Sequence, residues 1–313
     1  MPSAMQSQNL PVNKANTTET KNQDDSGAGG STAPSLFFRG RLIICGFLVP
    51  ETDLRVGGDD LSAGMQFYAP DNPIVRNARG EPIIPGSSLK GVMRSNLDVI
   101  YHKDKLQKLI EDKPIGYKKR YGALICENKD CWVCRVFGRP AHDEHREPTR
   151  LRVEDCLLDR DSVKELGLED AQAVSMVRTE NAILRFFGAA NPRRSEYIPA
   201  GVKFKLRFIY DVYTPEDVEQ GLPLVLEALH HVEDSGLGGG RSRGTGRVKF
   251  DCLQIFWKSV KHYSTGDRNG ELLAGPVDDV AELQKSFNNE RVQKLKQELK
   301  AENGPSDKEQ QEN

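Results

Sequence analysis

The stretch Gly201-Val-Lys-Phe-Lys-Leu-Arg-Phe-Ile-Tyr-Asp-Val212 sets Val202, Phe204, Leu206 and Phe208 against Lys203, Lys205 and Arg207 in strict alternation. That period predicts a strand with one face in a core and the other in water. Further strands are expected at Phe37 to Val49, Ile83-Ile84, Leu151 to Leu158 and Val248 to Trp257, and helices from about Ser87 to Tyr101 and from Pro215 to Val232. A sheet with one apolar face has to be covered on that face. Strand, helix, strands, helix, strand with large insertions therefore predicts an α+β fold, with the helices packed on one antiparallel sheet.

Composition limits how much of the 313 residues takes part. Residues 1–35 are rich in Ser, Asn, Gln, Thr and Gly, and are expected to be a disordered tail. A single domain is expected over 36–260, with insertions at about 102–150 and 160–198; the second of these reads as a long, irregular, basic excursion. Residues 261–313 read as an extension with one helix at 277–302, carrying Val280, Leu283, Phe287, Val292, Leu295 and Leu299, and a disordered end. The sequence contains no apolar run of membrane-spanning length, so no membrane association and a cytoplasmic location are expected.

The formal net charge of −2 is uninformative, but its distribution is not. Pro85 to Arg152 holds 15 Lys and Arg against 9 Asp and Glu, and Met176 to Arg207 holds 7 against 2. Two basic zones on a neutral chain suit a protein that grips a polyanion with selected faces. Within the first zone, Pro82-Ile-Ile-Pro-Gly-Ser-Ser-Leu-Lys-Gly91 reads as a strand end, a turn and a helix start that Ser87 or Ser88 can cap. Free amides there, with Lys90 and Arg94, would make an anion site. Far downstream, Leu237-Gly-Gly-Gly-Arg-Ser-Arg-Gly-Thr-Gly-Arg247 has five glycines and three arginines in eleven residues. Such backbone can approach a ligand closely while arginines fork onto phosphates. The loop lacks the Gly-Lys-Ser/Thr of a nucleotide P-loop and precedes a strand, which argues against an ATPase.

Three of the six cysteines, Cys126, Cys131 and Cys134, fall within nine residues. Three soft ligands at this spacing point to structural zinc, which needs a fourth partner. A closed tetrahedral site leaves no position open for catalysis.

The motifs Leu54-Arg-Val-Gly-Gly58, Asp71-Asn-Pro-Ile-Val75, Pro82 to Gly91, Arg178-Thr-Glu-Asn-Ala-Ile183, Ala189-Ala-Asn-Pro-Arg193, Pro199-Ala-Gly201 and Gly238 to Arg247 occur in this order. Together they resemble the RAMP-superfamily backbone subunits of type III CRISPR effector complexes. The resemblance implies a modified RRM-like, ferredoxin-like core with a zinc-binding insertion. It also implies a thumb-like hairpin in the 160–198 excursion, whose Phe186 and Phe187 would push between bases or else pack in a core or subunit interface. It implies a CRISPR RNA guide, a complementary target RNA and other type III Cas subunits as partners, with like subunits stacked side by side.

On this resemblance Arg55, Ser87, Ser88, Lys90, Arg94, Arg178, Arg193, Gly239, Gly240, Arg241, Arg243 and Gly244 would contact RNA. Asp71 would be the catalytic aspartate, with Asp59 and Asp60 as alternatives, and a divalent metal such as Mg2+ would assist cleavage. His102 would be the fourth zinc ligand, with His142, His145 and Cys156 left open. The other readings are a non-catalytic structural subunit and an endonuclease that processes precursor RNA; the latter calls for a histidine base that these loops lack.

Overall fold

The computed structural model describes residues 36–57, 70–102, 126, 128–139, 143, 146–168, 170–184, 186, 188–268, 270–287 and 289–301. In chain order the first half gives β1 (Gly40–Pro50), β2 (Ile83–Ile84), α1 (Gly86–Tyr101), α2 (Trp132–Phe137), β3 (Leu151–Val153), β4 (Cys156–Leu158) and α3 (Arg160–Glu165). The second half gives β5 (Met176–Leu184), β6 (Ala189–Tyr197), β7 (Phe204–Val212), α4 (Leu222–Ser235), β8 (Val248–Ser259), α5 (Val260–Ser264), β9 (Glu271–Val277), α6 (Val280–Ser286) and α7 (Glu290–Ala301).

The alternating stretch becomes β7, paired antiparallel to β1 from Gly40↔Val212 to Leu48↔Phe204. The sheet runs β2-β4-β7-β1-β8-β9, with β3 pairing the far half of β7. Phe204, Leu206, Phe208, Tyr210 and Val212 point to one side with Leu42, Ile44 and Leu48 of β1 and Val248, Phe250 and Ile255 of β8, all buried. Leu89, Met93 and Leu97 of α1 and Val225, Leu226, Leu229 and Val232 of α4 belong to the same core. Full burial of a Leu, Val or Phe side chain contributes about 1.5–3 kcal/mol, so this face dictates the fold.

The opposite face carries charge, and most of it is paired. Lys203 meets Asp251 at 3.1 Å and Lys205 meets Asp159 at 3.2 Å. Arg207 pairs with Glu154, while Arg41 and Arg152 share Asp211. Exposed pairs of this kind contribute about 0–1 kcal/mol each. They do remove much of the second basic zone from the cations available to a polyanion.

Three expectations differ from the fold observed. Leu151 to Leu158 is two short strands, because the chain breaks at Glu154-Asp155 to serve different parts of β7. The irregular excursion contains a regular two-stranded hairpin of nine residues a side, β5 with β6, paired from Met176↔Tyr197 to Leu184↔Ala189. Many of its side chains lie exposed, so the alternation that marks a half-buried strand is missing. The extension is not one helix: β9 joins the sheet beside β8, and α6 and α7 pack back with Val280, Leu283, Val292, Leu295 and Leu299 buried. From Leu36 onward the chain forms one compact unit that includes the extension.

Candidate nucleic-acid interface

The Pro-Gly-Ser-Ser turn delivers α1 one residue earlier than the serines suggest. The helix starts at Gly86, with Pro85 in the cap position making no side-chain hydrogen bond. Neither Ser87 nor Ser88 caps it; both sit in its first turn. The Gly86 amide donates to Asp155 Oδ1 at 2.8 Å, so a carboxylate of the chain already takes one free amide of this helix end. Lys90 Nζ donates to the Leu151 carbonyl at 2.7 Å, and burial lowers its pKa. Arg94 donates to the Gly138 carbonyl at 2.9 Å and pairs with Asp98. Both cations therefore fasten α1 to its neighbours, which was not visible from their spacing.

What α1 offers outward is small. Ser87, Ser88, Gly91, Val92, Ser95 and Asn96 line one wall of a groove of about 450 Å³. Leu237, Gly238, Gly239 and Arg241 form the other wall, with Val56 and Gly57 at its end. The wall from the glycine-rich loop is tied down by main-chain bonds, Gly239 N to Arg55 O at 2.8 Å and Gly246 N to Asp53 O at 2.9 Å. Asn96 also donates to Ser235 Oγ at 2.9 Å, holding α1 to the end of α4. Gly238 has φ +77, and a Cβ there would stand 2.2 Å from the Arg55 carbonyl. The approach needs glycine. Between Gly240 and Gly244, both left-handed, Arg241–Arg243 make one tight turn; Arg241 reaches back toward the Gly236 carbonyl at 3.4 Å and Arg243 toward Glu180.

A second recess of about 410 Å³ lies where the hairpin meets this loop, lined by Arg178, Thr179, Glu180, Asn181, Arg193, Tyr197, Arg243 and Thr245. Arg178 pairs with Asp53 and sits 5.7 Å from the centroid of the Tyr197 ring. The Tyr197 hydroxyl donates to Glu180, which also lies 3.9 Å from Arg243. Burial first, then Glu180, pushes the Tyr197 hydroxyl up. Arg55 lies beneath Gly239, its Nε buried with no hydrogen-bond partner among the described residues. The structure thus gathers Arg55, Ser87, Ser88, Arg178, Arg193, Gly239, Arg241 and Arg243 around two adjoining recesses, and turns Lys90 and Arg94 away.

Asp71 lies at the base of the hairpin, its Oδ2 accepting from the Arg194 amide at 2.7 Å. Asp59 and Asp60 lie outside the described residues. At the far end of the hairpin, Phe186 is 97 % exposed; Phe187 lies outside the described residues. Asp53 and Asp155 hold groups beside these recesses and Tyr197 lines one of them, yet no motif drew attention to them; Glu180 lies within the Arg178-to-Ile183 motif without having been singled out.

Away from the grooves, His102, Cys126, Cys131 and Cys134 bring one ligand atom each to within 4.8 Å of one another, and this cluster could hold a metal. His102 Nε2 stands 3.2 Å from Cys131 Sγ, and its Nδ1 meets Asp98 Oδ1 at 2.9 Å. A carboxylate behind a histidine fixes which ring nitrogen faces the metal. Hydrogen bonding from the Cys134 thiol, opposed by burial and helped by His102, holds the Cys131 thiol down to about 4. The Cys134 thiol, which donates that bond and is itself buried, is pushed up. Cys156 is not in the cluster; it is buried in the core near the Glu154 carbonyl. His142 and His145 lie outside the described residues. Asp251, Cys252 and Asp278 form a second, mostly exposed group.

The architecture is an antiparallel α+β domain with a glycine-walled groove and a projecting two-stranded hairpin, and sequence comparison gives it a family. The model of the RAMP superfamily matches residues 47–249. The chain belongs to the RAMP superfamily. It is 30 % identical over 255 residues to the CRISPR system Cms endoribonuclease Csm3 of Methanocaldococcus jannaschii, covering 80 % of this chain and 94 % of that one. To the protein of the same name from Methanothermobacter thermautotrophicus it is 31 % identical over 261 residues, covering 79 % and 97 %. Among solved structures, a Csm3–Csm4 subcomplex of a type III-A CRISPR-Cas interference complex is similar at a TM-score of 0.47 and 22 % identity, covering 81 % and 97 %. No helix among the described residues is long and apolar enough to cross a membrane.

Proposed function

We propose that this chain is a backbone subunit of a type III CRISPR interference complex, which holds a CRISPR RNA guide and cleaves the guide-paired target RNA at regular intervals. The observation that carries the reading is the groove between α1 and the glycine-rich loop. Its walls are largely serine hydroxyls and glycine backbone, with Arg241 beside them and the Asn96 amide already donating to Ser235, which suits contacts to a sugar-phosphate chain. Sequence would then be read by pairing between guide and target, with the protein sensing shape and charge. The relatives named as endoribonucleases support cleavage, and other type III Cas subunits would be its neighbours.

The exposed Phe186 suits a wedge that unstacks a base pair, which makes β5–β6 the thumb in this reading. Cleavage falls to the loop at the base of that thumb. Asp71 would orient a ribose 2′-hydroxyl and accept its proton as the oxygen attacks the adjacent phosphorus; the P–O5′ bond breaks and the leaving 5′-oxygen takes a proton from water, giving a 2′,3′-cyclic phosphate and a free 5′-hydroxyl. Its Oδ2 is already held by the Arg194 amide, which equally suits a scaffolding carboxylate. Asp59 and Asp60 therefore stay in the test. Among the described residues Asp71 belongs to no cluster of three metal-ligating side chains, so a divalent cation assisting there would draw further ligands from outside them, such as Asp59 and Asp60.

The four-ligand cluster fits zinc in its donor set, its burial and the Asp98 support of His102. Bound there, zinc would brace the junction of α1 and α2 and supply no chemistry.

The test is a reconstituted complex carrying Asp71→Ala, Asp59→Ala or Asp60→Ala singly. Loss of the regularly spaced cuts with target binding intact identifies the aspartate. A full ladder from all three variants would sink the catalytic reading and leave a guide-holding subunit.

A further inference from the structure

Asp71 does not stand on a free loop. Segment 71–76 runs along the root of β6: Asn72 N donates to Arg194 O at 3.2 Å and Glu196 N to Asn72 O at 3.0 Å. Side chains reinforce the run, with Asn72 Nδ2 3.2 Å from Ser195 Oγ and Ile74 N 3.0 Å from Glu196 Oε2. Arg76 then closes it. Its guanidinium meets Glu196 Oε1 at 2.5 Å, Ser175 Oγ at 2.9 Å, Gln172 O at 2.8 Å and Gly80 O at 2.6 Å.

Those partners lie on the turn after the loop, on the approach to β5 and at the end of β6. One planar cation therefore joins both strands of the hairpin, at their roots, to the segment that carries Asp71. Ser195 and Glu196 are buried while Arg76 is partly exposed, so the Glu196 side of the junction is sheltered from water, and its charge-assisted bonds are among the stronger ones available to a protein. A rocking movement of the hairpin has to carry Asp71 with it. An untethered loop would let the two move separately.

From this geometry we propose that Arg76 and Glu196 are positioning residues, which hold the hairpin and the cleavage loop as one rigid body and so fix which phosphodiester is cut relative to the nucleotide the hairpin displaces. This rests on the cleavage reading above and adds a role for residues that touch no reacting atom. Misplacement of a catalytic group by about 1 Å can cost on the order of a hundredfold in rate. Loss of the clamp should therefore show both as a slower cut and as a less definite one.

The experiment uses the assembled complex with guide and an end-labelled complementary RNA, read at nucleotide resolution under single-turnover conditions. Arg76→Ala is expected to spread each cut onto flanking phosphodiesters and to slow cleavage about tenfold or more. Target affinity should stay within about twofold, because the groove walls are untouched, and Arg76→Lys should recover part of the definition. Glu196→Gln keeps the shape and removes one charge; it is the second variant should Arg76→Ala fail to assemble, and should blur the cuts in the same direction. A change of cut position is something a merely structural role does not produce. Unchanged positions and rates in both variants would overturn the clamp, as would a loss of rate that only follows a loss of target binding. A wild-type complex that leaves the target whole would overturn the cleavage reading itself and take this inference with it.

Discussion

Arg150 and Asp217 meet at 3.0 Å with side chains 1 % and 0 % exposed, a charge pair sealed inside the protein. Asp217 also accepts from the amides of Tyr213 and Thr214, both at 2.9 Å, and Arg150 lies 4.7 Å from the centroid of the Tyr213 ring. Pro148 and Glu147 take the remaining guanidinium bonds, so the pair joins the segment after α2 to the turn that starts α4. Removing one partner leaves the other charge buried and alone. Asp217→Ala is expected to lower the free energy of unfolding by about 3–5 kcal/mol, measured by urea denaturation. Arg150→Met together with Asp217→Leu should recover a large part of that loss, and a double variant no better than the single one would refute the account.

Lys90 fastens α1 to β3, whereas Arg241 lines the groove proposed to hold RNA, so the two should respond differently to substitution. Lys90→Met leaves the Leu151 carbonyl without its donor and should cost about 1 kcal/mol of stability, with little effect on guide affinity. Arg241→Ala should leave stability within about 0.5 kcal/mol and weaken guide binding at every sequence. Its slope of log affinity against log salt should shrink by about 0.7, the loss of one single-strand phosphate contact. Guide titrations at several salt concentrations check both, and equal slopes for wild type and Arg241→Ala would remove that contact.

Gly91 and Gly238 face the same groove, yet only one needs to be glycine for the fold. A Cβ at Gly91 meets nothing within 4 Å, whereas one at Gly238 strikes the Arg55 carbonyl. Gly91→Ala should therefore stabilise the chain by up to about 1 kcal/mol through helix propensity. Gly91→Leu should retain the fold and fill the groove, lowering guide affinity. Gly238→Ala should destabilise the chain. Thermal unfolding and guide binding measured on the three variants would separate groove from scaffold; unaltered binding by Gly91→Leu would move the guide elsewhere.

The clamp also predicts a pH dependence. Burial pushes the Glu196 carboxyl up, but bonds from Ser175, the Ile74 amide and Arg76 outweigh it and hold the group below the ordinary carboxylate value. A depressed folded pKa means that the stabilisation is complete above the unfolded carboxylate range and is lost as pH falls through the folded value. Unfolding of wild type should thus grow easier as pH drops below about 4.5, the ordinary glutamate value. Glu196→Gln should show a shallower dependence over the same window. Superimposable pH profiles would show that Glu196 is not held down.

The metal reading predicts one zinc per chain by elemental analysis. Chelation or His102→Ala should lower the unfolding midpoint, since metal binding contributes to folding where the site exists only in the folded chain. Metal-free protein with the same midpoint as the purified form would show that the four ligands hold themselves together.

The parts of this fold legible in the sequence are those buried on one side. Phe204 to Val212 and Leu89 to Leu97 declare themselves because one period of apolar residues faces one core. Periodicity did not show the hairpin, which only the family resemblance implied, since its exposed strands need no such pattern; β9 was missed since an edge strand with Gly275 and Pro276 in it reads as a loop. At the candidate site the glycines were readable, because close backbone approach has few substitutes. Among the cations, Lys90 and Arg94 were misread, though the arginines of the hairpin and the glycine-rich loop do line the recesses. Whether a lysine reaches solvent or a carbonyl depends on what lies across the fold, and nothing near Lys90 announces Leu151.

β9 carries a further meaning. It covers β8 with a strand whose pairing shifts register twice and whose Pro276 has no amide proton to offer a neighbour. At the opposite margin, β2 is two residues long, and Ile83 N is already bonded to Val75 O. Neither margin invites continuation by another backbone. If copies of this chain stand in a row along a guide, as the proposed function has it, the two described margins favour joining them by side chains and RNA over a sheet continued from one copy to the next.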